Sequence, residues 1–251
     1  MKKKKKSKRR IQKRKRILRF LLFILTVILI YLFAFKTDFF NIRSIKVVGN
    51  KNVSYEQIIK ASMCNRGENI FKISKKKGKE SLERLPYVKE ARIKRNMPKE
   101  IIIDIEERQE IVIIPYIGSF LYIDNEGYIL KVEEKIEKVE LPQIFGLELD
   151  DFQPGINLFS SLDRDDIETF VTYSEKSSLL SLMKYINFTD INNTMIELKD
   201  GIKVAFGPLD NVKYKLSFLI KILDDIEKKD LNVKQILLNK GDNPIVVTDD
   251  R

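Results

Sequence analysis

The sequence predicts an α+β protein carried on one N-terminal transmembrane helix, with a small strand-helix-helix-strand-strand unit followed by a larger mixed-sheet unit containing two helices. Three observations predict it. An uncharged apolar run at 20–35 follows a basic arm. Between residues 39 and 109 the apolar spacing changes from alternation to helical spacing and back to alternation. Around Asp200-Gly201 two alternating segments meet, and a helical apolar stripe follows them.

The basic arm and the apolar run define the first element. Residues 1–19 hold thirteen Lys/Arg and no acid, which leaves 34 Lys/Arg against 36 Asp/Glu from Phe20 onward. The formal charge of +11 therefore belongs to the arm, and the remainder is nearly neutral. FLLFILTVILIYLFAF has sixteen residues and rises about 24 Å as a helix, short of the roughly 30 Å hydrocarbon layer. Ile17 and Leu18 extend it if Arg19 snorkels to the head groups, giving a span over 17–36. A cleaved signal peptide needs a short basic region and a small-residue cleavage site, and YLFAFKTDFF is bulky instead. The charge asymmetry places the N-terminus in the cytoplasm and the rest outside it. The arm lacks the interleaved aromatics of a nucleic-acid site, so it reads as a topogenic tail with nonspecific attraction to lipid.

The first unit opens on FFNIRSIKVVGN, where Ile45 and Val47 alternate with polar residues as in a half-buried strand. Ser54 and Gln57 have capping-box spacing, and Ile58 and Ile59 supply the buried stripe of a helix ending near Cys64. Ser74 is a candidate cap for a second helix carrying Leu82 and Leu85 up to Pro86. YVKEARIKR and EIIIDIEER, separated by Asn96-Met97-Pro98, form a hairpin.

The second unit begins near Ile111. Asn125-Glu126-Gly127 turns between two strands, and Asp200-Gly201 turns between Ile196/Leu198 and Ile202/Val204/Phe206. One helix lies within Asp163–Met183, and another carries Val212, Leu216, Leu219, Leu223 and Ile226. VKQILL and PIVVT are the last strands.

The pieces FFNIRSIKVVGNKNVSYEQI, RGENIFKI and LERLPYVKEARIKRNMPKEIIIDIEER, in this order behind a single span, resemble the polypeptide-transport-associated (POTRA) domain of bacterial cell-division proteins of the FtsQ/DivIB type. LPQIFGL, and the Asp-Gly hairpin followed by GPLDNVKYKL, resemble landmarks of that family's second domain. The chain departs from it at Ile236-Leu237-Leu238, where the family often has Ile-Asp-Leu. Behind the basic arm at 1–19, the resemblance implies a POTRA domain at 38–109, a partner-binding domain at 110–248 and a tail at 249–251. It also implies a non-enzymatic scaffold of the divisome that binds small single-pass coiled-coil proteins of the FtsB/DivIC and FtsL types and regulates septal peptidoglycan synthesis. The partner surface is expected along 234–247, at Ile236, Leu238, Lys240, Ile245 and Val247, with the strand at Ile42–Val48 as a secondary candidate. The competing expectation for these apolar residues is that they face the core.

The residue types present exclude several chemistries. Without histidine the chain lacks the usual near-neutral base and the commonest metal ligand, and no Ser-His or Cys-His arrangement is possible. One cysteine cannot form an intrachain disulfide, and Cys64 reads as a packing residue. The glycines form no phosphate-cradling pattern, so no cofactor, nucleic acid or small-molecule substrate is implied. Asp163, Asp165 and Asp166 suit a helix start, and Glu106-Glu107 a strand end. Two alternatives share the topology. Export or chaperoning of envelope polypeptides lacks the accompanying run of barrel strands, and an anchored cell-wall hydrolase would act through Asp165 or Glu106.

Overall fold

The computed structural model describes residues 2–149, 151–162, 164–241 and 243–248, with side chains from Arg14 onward. Asp163 and the expected tail at 249–251 lie outside the described residues. Two compact units emerge, residues 1–83 with 90–106, and residues 84–89 with 107–251.

The first unit contains helix α1 (Lys2–Lys36), so the helix begins well before the expected span and runs through the arm. Its stretch long and apolar enough to cross a membrane is Arg14–Lys36. The large apolar side chains from Ile17 to Phe33 are exposed, as lipid-facing residues are. After a 3-10 turn at Asp38–Phe40 come β1 (Ser44–Val48), α2 (Tyr55–Ser62), α3 (Lys75–Leu82), β2 (Val88–Asn96) and β3 (Glu100–Glu107). The sheet order is β1-β3-β2, with β1 parallel to β3. Ile45, Ile101 and Ile103 are buried with Ile58 and Leu82 from the helices.

Local chemistry explains these helices. Ser54 accepts from the Gln57 N–H while the Gln57 side chain accepts from the Ser54 N–H, completing the capping box. Ser74 accepts from the Lys77 N–H in the same way. The expected continuation of α3 through Leu85 is not observed: the helix stops at Leu82, and Leu85 is a half-buried residue beyond it. Gly78 lets α3 approach α2, since a Cβ there would lie 2.5 Å from the Ser62 carbonyl oxygen.

The second unit is built on a nine-stranded sheet. Its strands are β4 (Val112–Tyr116), β5 (Ser119–Ile123), β6 (Ile129–Glu133), β7 (Gln143–Phe145), β8 (Met183–Asn187), β9 (Thr194–Leu198), β10 (Lys203–Gly207), β11 (Val233–Leu237) and β12 (Ile245–Thr248). They are ordered β12-β11-β10-β9-β8-β7-β4-β5-β6. The parallel pairs are β4/β7, β7/β8 and β10/β11, so the sheet is mixed, as the fold class requires.

Where two helices are expected, the described residues form three: α4 (Leu158–Leu162), α5 (Asp165–Lys176) and α6 (Val212–Lys229). The five-residue α4 was missed because Leu158 and Phe159 supply too short a stripe to show a period. Residues of α5 and α6 join the sheet's core through Phe170, Val171, Leu216 and Leu219, with Leu223 and Ile226 packed against it. Phe170 meets Phe188 and Phe206 edge to face, with centroids 5.4 Å apart in both pairs.

The 125–127 turn is held by charge. Asp124, 1% exposed, accepts from the backbone N–H groups of Glu126 and Tyr128 and is paired with Arg108 at 2.6 Å. Arg108 also pairs with Glu126 at 2.6 Å and lies over the Tyr128 ring.

Candidate functional site

Registers across the second sheet align one row of residues: Ile144, Ile186, Ile196, Val204, Ile236 and Val246. Side chains in such a row share a face. The first five are 0–1% exposed and face the helices, whereas Val246 is 37% exposed. The apolar row thus runs out at β12, whose outer side has no strand neighbour among the described residues. Ile245 and Val247 flank Val246 on the opposite face, opposite Leu237 and Gln235, and are 47% and 39% exposed. A short strand with apolar residues exposed on both faces at a sheet edge is a template for another chain's strand.

Two other edges are less open. At β6, the Ile129 N–H donates to the Ile156 carbonyl, and the Gly155 N–H donates to the Ile129 carbonyl. The chain at 155–156 thereby occupies the start of that edge, and Lys131 and Glu133 follow it. At β1, the secondary candidate, the Tyr55 hydroxyl donates to the Ile45 carbonyl. Ile42 and Ile45 point into the core of the first unit, and Lys46 is exposed between Ile45 and Val47. Tyrosine capping and an exposed lysine blunt an edge against strand addition.

The expected site residues separate into two groups. Ile236 and Leu238 are 0% and 9% exposed and face the core, because β11 is an interior strand covered by α6 on that face. Lys240, Ile245 and Val247 are exposed, and Val246 joins them at the surface. Beside this edge a cavity of about 550 Å³ is lined by Tyr214, Phe218, Leu238, Asn239 and Pro244 among others. Tyr214, 64% exposed with its ring tilted against Phe218, lies outside the buried stripe by which the sequence reveals α6, so helical spacing does not single it out.

The acids considered for catalysis have structural surroundings. Arg164 donates to both carboxylate oxygens of Asp166, at 2.8 and 2.6 Å, and holds that carboxyl below the usual carboxylate range. Asp165 is exposed in the first turn of α5, where acids complement the helix dipole. Glu106 is exposed and Glu107 half-buried at the end of β3. Cys64 is fully buried, and burial pushes its thiol up, away from the thiolate needed for reactivity. Among the described residues no group of three or more His, Cys, Asp or Glu is placed to hold a metal ion.

Comparison with known proteins locates the chain among relatives. Residues 40–108 match the family model described as POTRA domain, FtsQ-type. The chain is similar to the cell division protein DivIB of Clostridium tetani, 28% identical over 229 residues that cover 89% of this chain and 85% of the relative. It is 30% identical to the DivIB of Clostridium acetobutylicum over 200 residues, 75% of each chain. A solved structure of the major extracytoplasmic domain of DivIB from Geobacillus stearothermophilus covers 49% of this chain and 97% of its own, at 16% identity and a TM-score of 0.34.

Proposed function

The chain belongs to the DivIB/FtsQ family of bacterial cell-division proteins, and from that premise we propose that it is a non-enzymatic scaffold that holds a small coiled-coil division protein by strand addition at β12. In this role it links the partner, of the FtsB/DivIC or FtsL type, to regulation of septal peptidoglycan synthesis. Its N-terminal helix anchors it with the arm in the cytoplasm and both folded units outside, at the division septum. The charge asymmetry across the span supports that orientation.

One observation carries the proposal: the buried row ending at Val246 is left incomplete at the sheet's edge. A partner strand laid along β12 would cover Val246 on one face and Ile245 and Val247 on the other, while main-chain hydrogen bonds supply affinity that is tolerant of sequence. Lys240, exposed within the β11–β12 connection, would meet an acidic residue of the partner. No chemistry is required of any residue in this arrangement.

The test is binding of the full chain, in lipid nanodiscs, to the extracytoplasmic segments of the small coiled-coil division proteins, with Val246→Pro as the comparison. Proline removes a backbone donor and disfavours the paired strand. Binding by the native chain, lost in a variant that keeps its circular dichroism spectrum, supports strand addition at β12. Equal affinity for both chains would move the interface elsewhere. No binding at about 10 μM would remove the scaffold assignment for these partners.

A further inference from the structure

The aromatic residues that follow the span were left aside by the function above. Phe33 of α1 lies 5.3 Å from Phe39 and 5.8 Å from Phe40, ring centroid to centroid, and Phe35 lies 5.7 Å from Phe71. Phe40 and Phe71, 5.0 Å apart, close the cluster. The last turn of the helix is thus continuous with rings from two other segments of the first unit.

Polar contacts fix this arrangement. The last four carbonyls of a helix have no intrahelical partner. Here the Ala34 carbonyl accepts from the Asn69 side-chain amide at 2.7 Å, and the same side chain's oxygen accepts from the Phe71 N–H at 3.0 Å. One buried amide therefore ties the Phe71 loop to the end of α1. Arg95 donates to the Ile73 carbonyl at 2.8 Å and to the Phe71 carbonyl at 3.5 Å in the same loop. Phe71 has its depth along the helix axis set by these contacts.

Phe39 and Phe71 are nonetheless 46% and 37% exposed, and their exposed area adjoins the exposed apolar surface of the helix. Lys36, Lys72 and Arg43 are exposed around the cluster, and the Lys99 ammonium lies 5.3 Å from the Phe39 centroid. Asp38, the carboxylate within the turn, accepts from the Asn41 side chain. Exposed phenylalanines rimmed by cations have the composition of a surface that buries its apolar side at the head-group boundary.

The membrane-spanning stretch of α1 ends at Lys36, so the rings packed on its last turn lie at the C-terminal end of the span. We propose that Phe39 and Phe71 of the first folded unit insert into the outer leaflet beside the span. They add apolar surface beside the outer end of the span, with Lys36, Lys72 and Lys99 at the level of the lipid phosphates. This rests on the membrane-anchor assignment above. Its consequence is that the first unit is held against the bilayer, not swung freely from it.

The chain has no tryptophan, so a single substitution creates a clean depth reporter. Full-length Phe71→Trp and, separately, Leu25→Trp would be reconstituted in phosphatidylcholine vesicles, with and without brominated lipid, the bromines near the head of the acyl chain for the first and near its terminal methyl for the second. The expected result is blue-shifted emission from both, with about half of the Phe71→Trp intensity lost in brominated vesicles and retained if Asn69→Ala is added. Quenching of Leu25→Trp without quenching of Phe71→Trp would overturn the insertion and leave the anchor standing. Quenching of neither would overturn both. Should Phe71→Trp fail to fold by circular dichroism, Phe39→Trp carries the same test.

Discussion

Truncating Ile236 and Val246 separately would divide stability from binding, because the two residues are cross-strand partners in one row with opposite exposure. Ile236→Ala removes three carbons from a fully buried site, about 2.4 kcal/mol of transfer free energy and about 3–4 kcal/mol once the cavity is included. Val246→Ala removes two carbons worth about 1.6 kcal/mol if wholly buried; with 37% of the residue already exposed, about 1 kcal/mol remains. At about 2–4 °C per kcal/mol the thermal transition falls by about 10 °C in the first variant and about 3 °C in the second. Partner affinity runs the other way. Val246→Asp sets an unpaired carboxylate where the partner strand would close over it, and weakens binding about 100-fold or more. Folded Ile236→Ala, its surface unchanged, binds within about threefold of the native chain. Thermal melts followed by circular dichroism and titration calorimetry below the transition read both quantities. Equal destabilisation by the two alanines would show that Val246 is already covered, and native affinity in Val246→Asp would refute strand addition at β12.

Four further outcomes follow from individual contacts. Arg108→Ala strands the buried Asp124 without a counter-charge and costs about 3 kcal/mol, read by urea denaturation; a loss below about 1 kcal/mol would show that the backbone donors alone suffice. Gly78→Ala gains about 1 kcal/mol of helix propensity but puts a Cβ 2.5 Å from the Ser62 oxygen and 2.7 Å from Ile93 Cδ1, so a net loss of about 1–2 kcal/mol is expected, and stabilisation would contradict the close approach of α2 and α3. Cys64, buried and with its thiol pushed up, should react with iodoacetamide about 100-fold slower in the native chain than in denaturant. Asp166, held below the usual range by Arg164, contributes stability that is present at neutral pH and fades as pH falls below about 4. Asp166→Asn should therefore lower stability by up to about 1 kcal/mol at pH 7, and the gap between variant and native should close in acid.

The local grammar of the chain was legible where one short-range interaction decides the outcome. Ser54 and Gln57 announce a helix start because both hydrogen bonds lie within four residues, and both form. Asp200-Gly201 announces a reversal because Gly201 takes a positive φ and the Asp200 side chain accepts from the Ile202 N–H. The end of α3 was misplaced because Leu85 continues the apolar spacing although the backbone has left the helix, and periodicity does not distinguish those cases. What could not be read was the lateral order of the sheet. Nothing near Gln143-Ile144-Phe145 says that so short a strand will bridge β4 and β8, yet that junction fuses the sheet's two halves.

The candidate site depends on that long-range order. Ile236 and Val246 look alike in sequence, each within a run of three apolar residues, and either could face a partner or a core. Burial assigns them only once β11 is known to lie inside the sheet and β12 at its edge. A strand pattern reports which residues share a face, not whether a neighbour stands beside the strand. For β12 the two faces and the open side coincide in Ile245, Val246 and Val247, whereas the first unit blunts its own edge with Tyr55 on the Ile45 carbonyl. A chain that protects one edge and leaves apolar residues on another has its aggregation hazard confined to the place where a partner strand would remove it.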